Sequence, residues 1–383
     1  MRKTFAERAI LPLVLAMTLA APALPALAQD SAALVQPAGY ADAVIRQDII
    51  TGAYEILDDA DQGVVFVAAN PSFEGPSAGY VWLLDRDDLS VKRRIQLPDG
   101  AFALAMDRDL GRLYVGNTMS GKLSILDAKS GVLTGSVQLG QKDGEGYEHT
   151  RMVAVDEKTH RVYVTSPTER GALWIVDGEK AELVKRVDDS GLWSAGLAVD
   201  SDKGRVYVGG GGIDEVSVYD AASGERVGGF STGDTKGTAK DDSKHFFVNL
   251  ALDAKGGRLF AADANTGQIY VFGTEDGKLI GTVPAGTGTL DVVYNADRDE
   301  VYVTTRGVSQ EEPKGTGKLV VIDAKALAVK HALSLPTHPN SLEVSQDGKL
   351  LFVTVKVPHG DEHPDFRKDA VDSVLRVDLS KLD

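Results

Sequence analysis

The feature that most limits the fold of this chain is a repeat of 42 to 53 residues. The repeat is clearest over residues 111–131, where an alternating strand, a polar turn, a second strand and a glycine-closed turn follow one another. Self-similarity at this period is typical of solenoids and propellers. An aromatic residue in the first of these strands marks each of the seven copies: Phe66, Tyr114, Tyr163, Tyr207, Phe260, Tyr302 and Phe352.

The residue types in the repeat favour strands over helices, because Val, Ile, Tyr and Phe alternate with polar residues between Gly, Asp and Asn. The second strand ends in aspartate in six copies, and Gly273 takes that place in the fifth copy. An aspartate there can accept backbone N–H bonds of the turn, and a glycine such as Gly131 adopts the left-handed conformation without steric cost. We therefore predict an all-β fold, a seven-bladed β-propeller of four-stranded blades.

The two ends of the chain predict how the ring closes. The last copy stops soon after its third strand, residues 374–377, whereas residues 43–50 have strand character but precede the first complete copy. We expect residues 43–50 to pair beside residues 374–377, complete the last blade and cover two sheet edges. Residues 40–383 then form a single propeller domain, preceded by a leader over residues 29–39.

The first 28 residues have the pattern of a signal peptide. A basic stretch containing Arg2, Lys3 and Arg8 precedes a short apolar segment, and an A-x-A cleavage motif ends at Ala28. The apolar segment is too short to span a bilayer. We therefore expect a periplasmic protein, cleaved after Ala28 and without a membrane span.

The composition excludes or disfavours several kinds of site and partner. The chain contains no cysteine, so disulfides, c-type haem attachment and cysteine-ligated metals are excluded, and we expect no cofactor and no metal. Removal of residues 1–28 leaves 38 basic and 55 acidic residues, a net charge of −17. Such a surface disfavours nucleic acid as a partner unless a local basic patch exists. A closed ring does not need to dimerise, so we expect a monomer.

Offsets from the marker aromatic predict where a ligand would bind. The residue ten places before it is apolar in all seven copies, as expected for an innermost strand between neighbouring blades. Eleven to fourteen places before it this pattern ends and large polar and aromatic residues appear, at what should be one mouth of the channel. We predict a binding site, with no catalytic residue assigned, formed by Tyr54, Glu55, Phe102, His149, Arg151, Trp193, His245, Phe246, Asn249, Asp291, His338 and Asn340.

Loop lengths indicate the same face of the ring. The interval from marker to strand-ending aspartate or glycine is 13 or 14 residues in four copies but 19, 21 and 26 in the first, sixth and seventh, through insertions at residues 70–79, 306–317 and 356–372. Two further insertions, residues 140–149 and 231–245, lie between copies. In a propeller both kinds of loop emerge on one face, and insertions on one face usually mark the binding face.

Three segments add a family resemblance. Residues 52–55 (GAYE), 244–249 (KHFFVN) and 336–341 (PTHPNS) closely resemble segments of the YncE-like bacterial proteins, a group of YVTN-type β-propellers, and VYVT at residues 162–165 and 301–304 is similar to the hallmark of that type. The resemblance covers residues 38–383. It implies a periplasmic seven-bladed propeller with a binding role and single-stranded DNA as a ligand.

Two enzymatic alternatives remain open at this point. A lactonase or metal-assisted hydrolase would need carboxylates and histidine that converge at the channel, and Glu55, Asn249, Asp291 and His338 come nearest to such a set. A redox subunit of the quinoprotein-amine-dehydrogenase type shares the repeat, but without cysteine it would need a partner subunit. A binding or scaffolding propeller requires neither, and it is the interpretation that we favour.

Overall fold

The computed structural model describes residues 35–73, 77–144, 146–237, 239–309, 312–358 and 360–383. The predicted signal peptide and residues 29–34 of the predicted leader lie outside these residues. The described chain contains seven four-stranded antiparallel sheets, one for each marker aromatic, which confirms the predicted seven-bladed propeller. Three single 3₁₀ turns, Thr118–Ser120, Lys240–Asp242 and Leu379–Lys381, lie in the connections or at the end of the chain.

Each of the first four blades is built from four consecutive strands that pair in sequence order, from the innermost strand to the outermost. Helix α1 (Tyr40–Ala43) and strand β1 (Val44–Ile50) come before them. The blade strands and one short hairpin are β2 Ala53–Asp59, β3 Val64–Ala69, β4 Gly79–Asp85, β5 Val91–Leu97, β6 Ala103–Asp107, β7 Arg112–Asn117, β8 Lys122–Asp127, β9 Leu133–Gln138, the hairpin β10 Lys142–Asp143 with β11 Gly146–Tyr147, β12 Val153–Asp156, β13 Arg161–Ser166, β14 Ala172–Asp177, β15 Glu182–Asp188, β16 Leu192–Asp200, β17 Arg205–Gly211, β18 Val216–Asp220 and β19 Arg226–Phe230.

Blades five and six repeat this order, and blade seven differs because the last three strands of the chain receive their outer strand from β1. The strands are β20 Phe247–Asp253, β21 Arg258–Asp263, β22 Gln268–Gly273, β23 Leu279–Pro284, β24 Thr289–Asn295, β25 Glu300–Thr305, β26 Lys318–Asp323, β27 Ala328–Ser334, β28 His338–Val344, β29 Leu350–Lys356 and β30 Asp372–Asp378.

The N-terminal strand closes the ring as predicted. β1 pairs antiparallel with β30, with Val44 opposite Val377 and Arg46 opposite Leu375. Ile50 at the end of β1 is fully buried. The described residues of the predicted leader also contact the propeller, since the backbone N–H and C=O of Val35 bond those of Ala332 in blade six. β1 therefore removes the free edge that β30 would otherwise expose.

The repeat pattern predicts which side chains are buried. Every marker aromatic lies on the second strand of its blade and is at most 1% exposed. The residues ten places earlier are also buried, from Ile56 at 2% to Leu250 at 8%. Most residues eight places earlier, such as Val155 and Val199, are half-buried, because the innermost strand is nearing the opposite mouth of the channel. The predicted period-two burial is therefore complete only in the middle of the strand.

The aspartates that end the second strand of the repeat unit, which is the third strand of a blade, cap the following turns. Asp127 accepts hydrogen bonds from the Ser130 backbone N–H at 2.6 Å and from its hydroxyl at the same distance. Gly131 follows with φ = 66°, a conformation that a residue with a Cβ adopts only at a cost. This turn lies on the face opposite the long loops. None of the described helices is long and apolar enough to cross a membrane.

Candidate functional site

A cavity of about 220 Å³ lies at the channel mouth on the long-loop face, and we call it the mouth cavity. It receives side chains from the starts of the innermost strands and from the insertions that begin at residues 70, 306 and 356. Ten of the twelve residues predicted as the binding site line it: Tyr54, Glu55, Phe102, His149, Arg151, Phe246, Asn249, Asp291, His338 and Asn340.

The other two predicted residues do not line the cavity. Trp193 is 1% exposed and packs edge-on against Phe246, with ring centroids 5.8 Å apart. His245 is buried between two carboxylates, with Nδ1 at 2.6 Å from Asp263 and Nε2 at 2.7 Å from Asp234. Burial alone would lower the pKa of His245, but these two bonds outweigh it and raise the pKa to about 9. Both residues therefore lie outside the lining of the cavity.

One side of the mouth cavity is aromatic. Tyr54 stacks on Phe102 with centroids 4.5 Å apart and an interplanar angle of 30°. Phe73, from the first insertion, meets Tyr54 edge-on at 5.6 Å. Phe246 lines the same cavity from blade five. These rings form a wall on which a flat ligand can stack.

Three basic side chains adjoin this wall. The Arg151 guanidinium lies 5.1 Å from the Phe102 ring centroid, and the Arg306 guanidinium donates to the Asn340 side-chain oxygen. Burial lowers the pKa of both arginines, which nevertheless remain charged. Neither arginine forms a salt bridge with a carboxylate among the residues that the structure describes. Attraction at longer range, of Arg151 to Glu55 and Asp291 and of Arg306 to Asp372, offsets part of each charge, but N–H donors of both side chains remain for an anionic group.

The third basic residue, Lys356, already has partners. Its ammonium group donates to Asp372 at 2.6 Å and to the Ala53 carbonyl at 3.0 Å, and it lies 4.3 Å from the centroid of the Tyr54 ring. Lys356 and Asp372 are only 4% and 2% exposed. This pair joins strands β29 and β30 of blade seven to the start of blade one. Lys356 is thus part of the cavity wall and of the ring closure at once.

Two carboxylates lie at the inner end of the cavity. Glu55 accepts a hydrogen bond from the Ser341 hydroxyl at 2.9 Å. Asp291 accepts bonds from the Leu342 backbone N–H at 2.7 Å and the Asn249 side-chain amide at 2.7 Å. Burial raises the pKa of Asp291, and burial together with the nearby Asp291 raises the pKa of Glu55 to about 8. The cavity is therefore basic and aromatic at its mouth and acidic toward the channel.

The sequence did carry a signal for the cavity residues that we missed. Thr118, Pro167, Ala264, Arg306 and Lys356 all line the cavity, and each stands four residues after a marker aromatic. The second strand runs antiparallel to the innermost one, so its end reaches the mouth at which the innermost strand starts. The offset of plus four therefore identifies cavity residues as well as the offsets of minus eleven to minus fourteen. Phe73 lies on an insertion and has no equivalent offset.

The longest insertion reaches the cavity wall. His363, from the insertion over residues 356–372, is 5% exposed and packs edge-on against His338 with ring centroids 5.2 Å apart. Its Nε2 lies 3.0 Å from the Gly315 carbonyl of the sixth-blade insertion. Three blades thus contribute long loops to one side of the mouth, in agreement with the predicted long-loop face.

Elsewhere in the described part of the chain, Glu215, Asp234 and His245 bring potential metal-ligand atoms within 4.8 Å of one another. Both nitrogens of His245 are engaged by carboxylates, and both oxygens of Glu215 accept bonds from Thr232. A metal would have to displace these bonds and a proton. We interpret the cluster as a structural support for the loop over residues 231–245.

Comparison with solved structures shows the fold alone. The chain superposes on U3-55K with a TM-score of 0.65, covering 90% of this chain and 100% of that one at 15% identity. It superposes on the WD40 repeats of RRP9 with a TM-score of 0.66, covering 90% and 99% at the same identity. No protein-family model matches the chain.

Comparison with curated proteins shows the family. The chain is 31% identical over 319 residues to the uncharacterised protein YncE of Salmonella typhi, covering 82% of this chain and 86% of that protein. It is 30% identical over 326 residues to YncE of Escherichia coli K12, with the same two shares covered. A shorter match, 23% identity over 212 residues, joins it to the antigen Lp49 of Leptospira interrogans. Seven blades and this identity together show that the chain belongs to the YncE family of β-propellers.

Proposed function

We propose that this protein is an exported binding propeller whose mouth cavity takes an unpaired base and an adjoining phosphate of a single-stranded nucleic acid. The observation that supports this most strongly is the combination of stacked aromatic rings with two arginines that lack carboxylate partners among the described residues. Sequence-tolerant binding of single strands uses this pairing of aromatic stacking with cationic groups.

The chemistry of each wall supports one part of such a ligand. A base could stack beside Tyr54 and Phe73, because every base offers a π face and each stacked base contributes about 1–3 kcal/mol. A phosphate could lie between Arg151 and Arg306, whose guanidinium groups match its geometry. A duplex fits less well, since its base faces are already stacked. The net charge of −17 opposes binding at a distance, so the arginines must act locally.

The arginines should therefore control affinity. Replacement of Arg151 or Arg306 by Met keeps most of the apolar stem and removes the charge, and each change is expected to weaken binding of a labelled single-stranded oligonucleotide at least tenfold. Each variant should also lower the slope of log affinity against log salt by about 0.7, the value for one lost phosphate contact on a single strand. Fluorescence anisotropy of mature protein at several salt concentrations measures both quantities.

A matched control removes the same charge from the opposite face. Lys129 is exposed in the turn after Asp127, so Lys129→Met should leave the affinity within twofold of that of the unmodified protein. The proposal is refuted if the unmodified protein binds no oligonucleotide at low salt. It is also refuted if Lys129→Met weakens binding as much as Arg151→Met does.

Export is the second part of the proposal, and it is supported by the basic, apolar and A-x-A pattern of residues 1–28. We expect the protein to be released from a Gram-negative host by osmotic shock, with an N-terminus that starts at Gln29. Mass spectrometry of the released protein checks both statements. Retention in the cytoplasm with residues 1–28 intact would contradict export while leaving the ligand proposal untouched.

A further inference from the structure

At one level of the channel, side chains that carry oxygen atoms lie on one side only. The position eleven residues before the marker aromatic is occupied by Asn249, Asp291, Ser341 and Glu55 in blades five, six, seven and one, which are consecutive around the ring. All four residues line the mouth cavity. The same position in blades two, three and four holds Ala103, Met152 and Gly196. The repeat therefore places an arc of polar oxygens opposite an arc without them.

Hydrogen bonds hold this arc in place. The Asn249 side-chain nitrogen donates to Asp291 Oδ1 at 2.7 Å, and the Ser341 hydroxyl donates to Glu55 Oε1 at 2.9 Å. Two backbone groups, the N–H of Val292 at 2.9 Å and that of Leu342 at 2.7 Å, fix the Asp291 carboxylate. The Ser341 side chain also interacts with Asp291, so polar groups surround this carboxylate on several sides. The oxygens are thus positioned before any ligand arrives.

A second and independent observation comes from the Asn249 amide. Because its nitrogen donates to a carboxylate, the orientation of the amide is fixed, and Oδ1 is the oxygen that remains. Asn249 is only 4% exposed, and Oδ1 has no hydrogen-bond partner among the residues that the structure describes. A buried acceptor without a partner destabilises the fold. This oxygen requires either a donor or a cation beside the two carboxylates.

We propose that Glu55, Asn249 and Asp291 bind a divalent cation of the calcium type at the inner end of the mouth cavity. Calcium takes carboxylate and amide oxygens with flexible geometry, and water can complete its six to eight ligands. No sulfur or imidazole belongs to the arc, which disfavours zinc and copper. Arg151 stands in the same cavity and opposes the cation, so a dissociation constant on the order of 10⁻⁴ M is expected, within the range of weak extracellular sites.

Calcium binding to mature protein stripped with EDTA tests the site in the absence of any oligonucleotide, at pH 9 so that Glu55, whose pKa is raised to about 8, is ionised. Isothermal titration calorimetry is expected to show one ion per chain with this affinity. Glu55→Gln, which keeps the size of the side chain, should weaken binding at least tenfold. Asp291→Asn should do the same where circular dichroism shows that the variant is folded. A matched control, Glu362→Gln on the exposed seventh-blade insertion, should bind as the unmodified protein does.

Thermal unfolding gives a second measurement. At 10 mM calcium, a hundred times the expected dissociation constant, the unmodified protein should be stabilised, and Glu55→Gln should lose most of that increase in Tm. The proposal fails if 10 mM calcium neither produces a binding heat nor raises the Tm of the unmodified protein. It also fails if Glu55→Gln binds calcium with unchanged affinity. Neither result bears on nucleic-acid binding, because the oligonucleotide experiment depends on Arg151 and Arg306.

Discussion

A protein that begins at Thr51 is expected to be unfolded or to associate, whereas one that begins at Val35 is expected to unfold cooperatively as a monomer. The shorter protein lacks β1, the only strand of blade seven that comes from the N-terminal end of the chain. Without β1, the outward-facing N–H and C=O groups of β30 lose six paired positions. An unpaired edge of this length is a template for association with a second chain.

The lost apolar contacts make the effect large. Ile50 is fully buried in a cluster with Phe352 and Val374, and Ile45 and Ile49 pack against the same cluster. Full burial of one isoleucine stabilises a fold by about 1.5–3 kcal/mol, and because Ile45 and Ile49 are only partly buried, the three together contribute about 5 kcal/mol. The free energy of unfolding of a domain is about 5–15 kcal/mol, so removal of β1 should abolish much or all of it.

Size-exclusion chromatography and thermal unfolding distinguish the expected results. A third protein that begins at Pro37 keeps β1 and the bonds of Pro37 and Gly39 to helix α1, but loses the two backbone bonds between Val35 and Ala332. Its Tm should fall by a few degrees at most, because two backbone hydrogen bonds contribute about 1–3 kcal/mol. A monomeric Thr51 protein with a Tm within 2 °C of that of the Val35 protein would show that β1 does not close the ring.

The fold could be predicted from the sequence because equivalent residues recur at the same offsets in every copy of the repeat. Each marker aromatic fixes the second strand of a blade, and the buried apolar residue ten places earlier fixes the innermost strand. Ring closure followed from a count, since blade seven lacked one strand and the N-terminal segment supplied one. The bridge from Val35 to Ala332 could not be predicted in this way, because it joins backbone groups and involves no patterned side chain.

The site was predicted less completely, for reasons that differ from residue to residue. Trp193 has a left-handed backbone with φ = 53°, which interrupts the strand alternation on which its placement at the channel depended. His245 is held by Asp263 on a neighbouring strand and Asp234 in the preceding loop, and such pairing of distant residues leaves no periodic signal. Arg306 and Lys356 were missed because we counted only the residues before each marker, although the strand after it ends at the same mouth.

Lys356→Met is expected to destabilise the protein by about 3–5 kcal/mol, because it leaves the buried Asp372 carboxylate without its cation. Asp372 also accepts the backbone N–H of Ala53 at 2.8 Å and that of Val357 at 2.9 Å, so the carboxylate cannot turn away toward water without breaking both bonds. Methionine has nearly the length of lysine and keeps the contact with Tyr54, so lost packing contributes little. Urea unfolding at pH 7 measures the change.

Two comparisons show whether an unpaired charge is the cause. Lys278→Met removes the partner of Asp276 from a pair whose lysine side chain is 80% exposed, and it should leave the stability nearly unchanged. The double variant Lys356→Met with Asp372→Asn removes the unpaired charge as well, so it should be destabilised less than Lys356→Met alone. A double variant no more stable than Lys356→Met would indicate a packing defect. A deficit below 1 kcal/mol at pH 7 would mean that the pair contributes little to holding blade seven against blade one.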